Sequence, residues 1–264
     1  MNSNRWRQNR AHWEQTLDAD NLGREETPGN IEQQLALFET ADVRLALQAL
    51  EPLNNRLVVD LGGGLGLGAI LLARRGARVV VTDLSMPRLK LARKTVARLG
   101  LDDRVSFVAA EGERLPFGDG KAGGLFTKSV LIHTRRDECA AECGRVLGAG
   151  GRAAFIEPLD GNPFVNLYRR LAAPRIWRTI TSYFNRREIA TVARGMKQAG
   201  SVRIRVRPLF FTAFFASVFQ FAIKNVRLYR LAEDFLLKLD SLLFRAMPGL
   251  KKRCWFVVMT FSKE

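Results

Sequence analysis

The sequence predicts an α/β fold: a doubly wound, mostly parallel seven-stranded sheet with helices on both faces, plus a helical C-terminal insertion before the last strand. Three observations lead there. Short β-branched runs alternate with segments of helical periodicity, the pattern of right-handed βαβ crossovers. The first run ends in an acid and passes directly into a glycine-rich turn. The chain closes on another apolar run, Arg253–Phe261 (RCWFVVMTF). At 264 residues there is room for one large α/β domain with additions.

Residues 1–30 are polar apart from Trp6, His12 and Trp13, and suit a helix or an arm. Residues 31–50 repeat apolar positions at helical spacing. Arg56–Asp60 (RLVVD) reads as a buried strand, Gly62–Gly68 as a turn and Ala69–Arg75 as a helix. Ala77–Asp83 is a second strand, and Pro87 opens a helix to Arg98, a first-turn position that suits proline. Strands follow at Arg104–Val108, Leu125–Val130 and Gly151–Glu157, with a helix at Arg136–Leu147 before the last of these. Pro158–Arg187 reads as a loop-rich insertion. After it come a helix at Arg187–Gln198, a strand at Val202–Val206 and an apolar, basic addition over Pro208–Leu250. The expected division is an N-terminal helical arm or cap (1–50), a ligand-binding core (51–207), the helical insertion (208–250) and a final core strand (251–264).

The net charge of +16 suits nucleic acid, an anionic membrane surface or an acidic substrate, and equally a solvated arginine-rich surface. Cys139, Cys143 and Cys254 form no CxxC pair and there are two histidines, which argues against a zinc site. Residues 1–30 hold no apolar signal core, and no apolar run is long enough to span a bilayer. A reducing cytoplasmic setting is the expectation.

The turn Asp60-Leu61-Gly62-Gly63-Gly64-Leu65-Gly66 carries the chemistry. Glycine permits positive φ and close approach of a ligand to the main chain. The following helix offers unpaired N–H groups. Asp83, ending the next strand, suits a ribose diol. A glycine turn with a later acid serves dinucleotides too, and Gly64–Ala69 fits GxGxxA. Asp60 tips the balance, because a carboxylate repels a pyrophosphate but attracts the ammonium and sulfonium of S-adenosylmethionine (SAM).

Downstream lie Glu111-Gly112-Glu113-Arg114-Leu115-Pro116-Phe117, Ser129-Val130-Leu131-Ile132-His133, Arg145-Val146-Leu147 and Gly150-Gly151-Arg152. With these the sequence resembles, over residues 35–160, the class I SAM-dependent methyltransferases, in particular the group containing the ubiquinone/menaquinone enzymes. The resemblance implies a Rossmann-like sheet and SAM as cofactor. It places Asp60, Gly62, Gly64 and Gly66 in the first motif. Asp83 becomes the ribose acid, with Leu84 against adenine, and Gly112 offers a backbone N–H to the ring. Glu111 stands where the family usually has Asp, so the adenine contact is open to Glu113. Lys128 falls near the methionine end, where a cation beside a sulfonium is expected to point away.

Methyl transfer needs positioning above all. His133 is the candidate base if the acceptor must lose a proton, with helix capping as its other role; Glu157 is a second candidate. Leu209–Ile223 with Lys224, Arg227 and Arg230, and Phe235–Arg245 followed by Lys251-Lys252-Arg253, are apolar with basic flanks. They suit either a cap lining an apolar pocket or helices in an anionic membrane interface, which would make the protein peripheral on the inner membrane face. Either points to a small hydrophobic or lipid-linked acceptor, with oxygen preferred. The other readings are an RNA methyltransferase, against which stands the lack of a separate RNA-binding module, and a SAM-binding membrane protein without turnover. No metal is expected.

Overall fold

The computed structural model describes residues 10–15, 28–216 and 225–264. Seven strands form one sheet in the order β3-β2-β1-β4-β5-β7-β6. They are β1 Leu57–Leu61, β2 Arg78–Asp83, β3 Val105–Ala109, β4 Ala122–Lys128, β5 Leu147–Pro158, β6 Val202–Leu209 and β7 Phe256–Lys263. The first five pair in parallel, and β7 runs antiparallel between β5 and β6. The strand order reverses between β1 and β4, so a crevice opens beyond their carboxyl ends. Ligands of doubly wound sheets bind at that place.

Helices cover both faces: α1 Pro28–Phe38, α2 Ala41–Leu50, α3 Leu67–Arg74, α4 Met86–Arg98, α5 Arg136–Val146, α6 Pro163–Leu171, α7 Arg186–Lys197 and α8 Val226–Ala246. Strand alternation splits the core in two. Val58, Val81, Ala154, Ile156 and Val258 meet Leu47, Ile70, Leu72 and Val96 of α2, α3 and α4. Val59, Leu125, Phe155, Val257 and Phe261 meet Cys139, Cys143, Val192 and Met196 of α5 and α7. The cysteines are therefore core packing. Gly144 and Gly195 let α5 and α7 touch, since a Cβ on Gly195 would lie 2.7 Å from the Ala140 Cβ.

Several boundaries differ from the sequence reading. The helical segment 31–50 is two helices, α1 and α2, parted at Glu39–Thr40, where Thr40 sits at the N-cap of α2 with extended φ/ψ. β5 begins at Leu147, earlier than expected. β6 continues to Leu209 and pairs with β7 as far as Phe256, so the insertion starts after residue 209 rather than at 208. The supposed loop Pro158–Arg187 holds α6, capped by Asn162, whose side chain accepts from the N–H groups of Phe164 and Val165. Pro163 at its first turn is a helix-starting signal rather than a loop signal. Of the expected amphipathic stretch Leu209–Ile223 with Lys224, residues 217–224 lie outside the described residues, as do 1–9 and 16–27 of the arm.

Between β6 and β7, α8 is fixed to the body by two buried carboxylates. Glu233 accepts from the Ala41 N–H (3.0 Å), the Tyr229 hydroxyl (2.9 Å) and Arg44 (2.8 Å). It thereby completes the open N-terminus of α2. Asp240 accepts from the N–H groups of Phe211 (2.9 Å) and Thr212 (2.7 Å) and from the Thr212 hydroxyl (2.6 Å). Helix α8 is thus held against the N-terminus of α2 and the 211–213 turn.

Candidate functional site

β1 delivers Asp60 to the glycine turn. Gly62, Gly64 and Gly66 have φ of +63°, +52° and +79°, a region that side-chain-bearing residues rarely adopt. Space is short as well: a Cβ on Gly62 would lie 2.4 Å from a methyl of Val130. The turn is closed by Gly66 N–H donating to the Gly63 carbonyl (2.8 Å), and Gly63 N–H donates to Thr82 of β2 (3.1 Å).

Asp60 is 2% exposed. It accepts a hydrogen bond from the Ala69 N–H, while its Oδ2 is buried with no hydrogen-bond partner. Burial pushes its pKa up to about 8, against the Ala69 N–H, which lowers it, and with a further push from Asp83. Asp60 therefore lies behind the turn, enclosed near Gly63 and Gly68. It shapes the turn, and a bound cation would favour its ionised form. A buried acid lacking a partner at Oδ2 beside a positive-φ turn is a site suited to a cationic ligand.

Asp83 ends β2 half-buried. Its Oδ2 accepts from the Gly64 N–H (3.0 Å) and its Oδ1 from the Ser85 N–H (2.8 Å). Each carboxylate oxygen keeps accepting capacity, which fits a diol. Burial raises its pKa, opposed by those two N–H groups and by Arg88. Leu84 follows, half-buried.

The loop after β3 is pinned to α5. Leu115 N–H donates to Glu142 (2.7 Å), and Glu113 accepts the Arg135 N–H (2.7 Å) at the start of that helix. Glu113 is thus occupied in capping α5, whereas Glu111 is the half-buried acid at the loop's first turn. Gly112 is buried over Cys139, where a Cβ would come within 3.1 Å of its Sγ.

At the end of β4, Lys128 turns toward α2. It pairs with Asp42 (2.9 Å), donates to Thr40 (3.1 Å) and lies over the rings of Phe38 and Phe256. Ser129 then takes φ +60°, a strained value outside glycine. The chain reverses into a single 3-10 turn, Leu131–His133. Glu157, at the end of β5 and 0% exposed, receives the N–H groups of Val130 (3.1 Å), Leu131 (2.9 Å) and Ile132 (3.3 Å). Burial raises its pKa to about 7 against those three donors. Enclosure and saturation remove Glu157 from the candidate bases and make it the support of the His133 turn. His133 Nδ1 lies 3.1 Å from the Ile180 carbonyl. A carbonyl only accepts, so Nδ1 carries a proton and Nε2 is the basic nitrogen of the neutral ring.

Two site residues escaped the sequence reading. Arg88 is 8% exposed; its Nε donates to the Trp13 carbonyl (3.1 Å), and its guanidinium lies 4.9 Å from the Trp13 ring centroid. Trp13 also meets His133 edge-on at 5.4 Å. The short helix 10–15 thereby joins the α4 side of the crevice to the β4 side, across the end of β1. The only hint in the sequence was an isolated tryptophan in a polar arm. Among the described residues no cluster suits a metal ion.

Residues 59–155, from β1 to β5, match the family model for a methyltransferase domain. Over that span the chain is similar to methyltransferase domains, and the strand order around it is that of a doubly wound sheet. The domain is 39% identical over 122 residues to methyltransferase GfsG of Streptomyces halstedii, covering 44% of each chain. It is 32% identical over 144 residues to the demethylmenaquinone methyltransferase of Clavibacter sepedonicus, covering 51% of this chain and 56% of that one. The chain thus spans about half the length of the curated relatives it matches. Among solved structures, geranyl diphosphate C-methyltransferase from Streptomyces coelicolor A3(2) superposes with a TM-score of 0.59 at 18% identity, over 92% of this chain and 87% of that one. At that identity the likeness speaks for the fold. It extends beyond the family match to the antiparallel end of the sheet.

Proposed function

We propose that the chain is a SAM-dependent methyltransferase acting on a small hydrophobic or lipid-linked acceptor, at oxygen. The observation that carries this reading is the coupling of the glycine turn to Asp83 at one end of the crevice and to the His133 turn at the other. SAM, when bound, supplies a methyl group already activated on a sulfonium. Gly62, Gly64 and Gly66 let the main chain approach it, Asp83 takes the ribose hydroxyls, and Leu84, Glu111 and Gly112 frame the adenine. Asp60 lies behind the turn, where a bound cation would favour its ionised form. Lys128, neutralised by Asp42, adds little positive field at the sulfonium. His133 Nε2 takes the acceptor's proton, and Glu157 and the Ile180 carbonyl hold the ring in place.

The names of the relatives support the acceptor class. They include a demethylmenaquinone methyltransferase and a geranyl diphosphate C-methyltransferase, the latter named for a substrate that joins an apolar chain to a diphosphate. The test is incubation of the protein with isotopically labelled SAM and a cell lipid and metabolite extract, followed by isolation of the labelled product. A labelled apolar ether or ester is the expected result. Label confined to RNA, or a methyl group on carbon or nitrogen, would refute the acceptor assignment.

A further inference from the structure

Helix α8 carries apolar side chains on its outward side as well as its inward one. Its buried side chains include two carboxylates, Glu233 and Asp240, which cap α2 and the 211–213 turn. Its outward face is apolar: Leu228, Leu231, Phe235 and Leu242 are 51%, 66%, 68% and 60% exposed. At 100° per residue these four fall within about 60° of one another, opposite the buried acids. The stripe runs from Leu228 to Leu242, about 21 Å at 1.5 Å per residue. Such a continuous apolar row on an outer surface signals a missing partner.

The charges beside the row say which. Arg227, Lys238 and Arg245 lie along one flank, and Lys251, Lys252 and Arg253 follow the helix, all exposed. The exposed acid on this surface of α8 is Asp234. Pairing with a second copy through this face would bring like-charged rows together. An anionic lipid surface offers the opposite charge and an apolar interior at the depth the Leu and Phe side chains reach. Helix α6 packs on the same 211–215 segment through Phe164 and Phe215, whose rings are 5.0 Å apart, and adds a second exposed apolar patch at Leu167 and Leu171.

We infer that the outer face of α8, extended by α6, docks the protein on an anionic membrane surface. The face stands on its own geometry, whether or not methyl transfer follows. The test is co-sedimentation of the full chain with vesicles of phosphatidylcholine alone and of phosphatidylcholine mixed with phosphatidylglycerol. Wild type binds the anionic vesicles and releases in high salt. The exposed pair L231S/F235S weakens that binding about tenfold or more, corresponding to about 1.4 kcal/mol. K251E/K252E, outside the helix, weakens it in anionic vesicles only. Thermal melting and SAM binding of each variant establish that it is folded. Absence of wild-type binding, or equal binding by L231S/F235S, overturns the inference. So does a lipid-free dimer that L231S/F235S dissolves, which would assign the face to a second copy.

Discussion

Nδ1 of His133 is committed to the Ile180 carbonyl, so a proton taken from an acceptor goes to Nε2. His133→Gln is expected to lower kcat about a hundredfold or more, the usual weight of a general base, while SAM affinity stays within twofold by calorimetry. Unchanged turnover would reduce His133 to a capping residue. Asp60 supplies a different test. Its folded pKa of about 8 lies above the 3.8 ordinary for an aspartate, so its contribution to stability is fully present below about 3.8 and is lost as pH rises through about 8. Glu157 acts in the same sense up to about 7. Asp60→Asn keeps an acceptor for Ala69 N–H and removes the charge. In urea melts the variant is expected to lose less stability between about pH 5 and pH 8 than wild type. Parallel slopes would contradict the assignment. At this scale the sequence exposed the glycines and Asp83, because their spacing is set by the turn they build. It hid Arg88 and the commitment of Glu157, because an arginine early in a helix and an acid ending a strand look alike whether solvated or buried.

Elements were legible where one periodicity ruled. The alternation of β-branched runs identified all seven strands, and the helices against them followed. The reading failed where a local signal was ambiguous: Pro163 suggested a loop, yet with Asn162 before it proline starts α6. It was incomplete for the insertion, whose apolar residues were expected to seek a pocket or a membrane. Helix α8 is anchored on its inward side by the carboxylates Glu233 and Asp240, while Leu228, Leu231 and Leu242 face outward. Removing an anchor leaves buried donors unpaired. Asp240→Ala is expected to destabilise the fold by about 3 kcal/mol, seen as a lower midpoint in denaturant; a change under about 0.5 kcal/mol would show that the anchor is dispensable. Gly195→Ala tests the other close contact. A Cβ there meets Ala140 Cβ at 2.7 Å and the Asp137 carbonyl at 2.9 Å. A loss of about 1–3 kcal/mol is expected from the forced separation of α5 and α7.

For the whole molecule, chain order dictates where chemistry can happen. With β1 and β4 adjacent and their connections leaving in opposite directions, the glycine turn, Asp83 and the His133 turn converge on one crevice, and Trp13 bridges its two sides. No single segment announced that convergence; it follows from the order of the strands. The central claim is that this crevice holds SAM rather than a dinucleotide. Calorimetric titration of the full chain with SAM, and separately with NAD, tests it most directly. SAM is expected to bind with one-to-one stoichiometry, Asp83→Ala to weaken it at least tenfold, and NAD to give no heat of binding. Binding of NAD without binding of SAM would contradict the account.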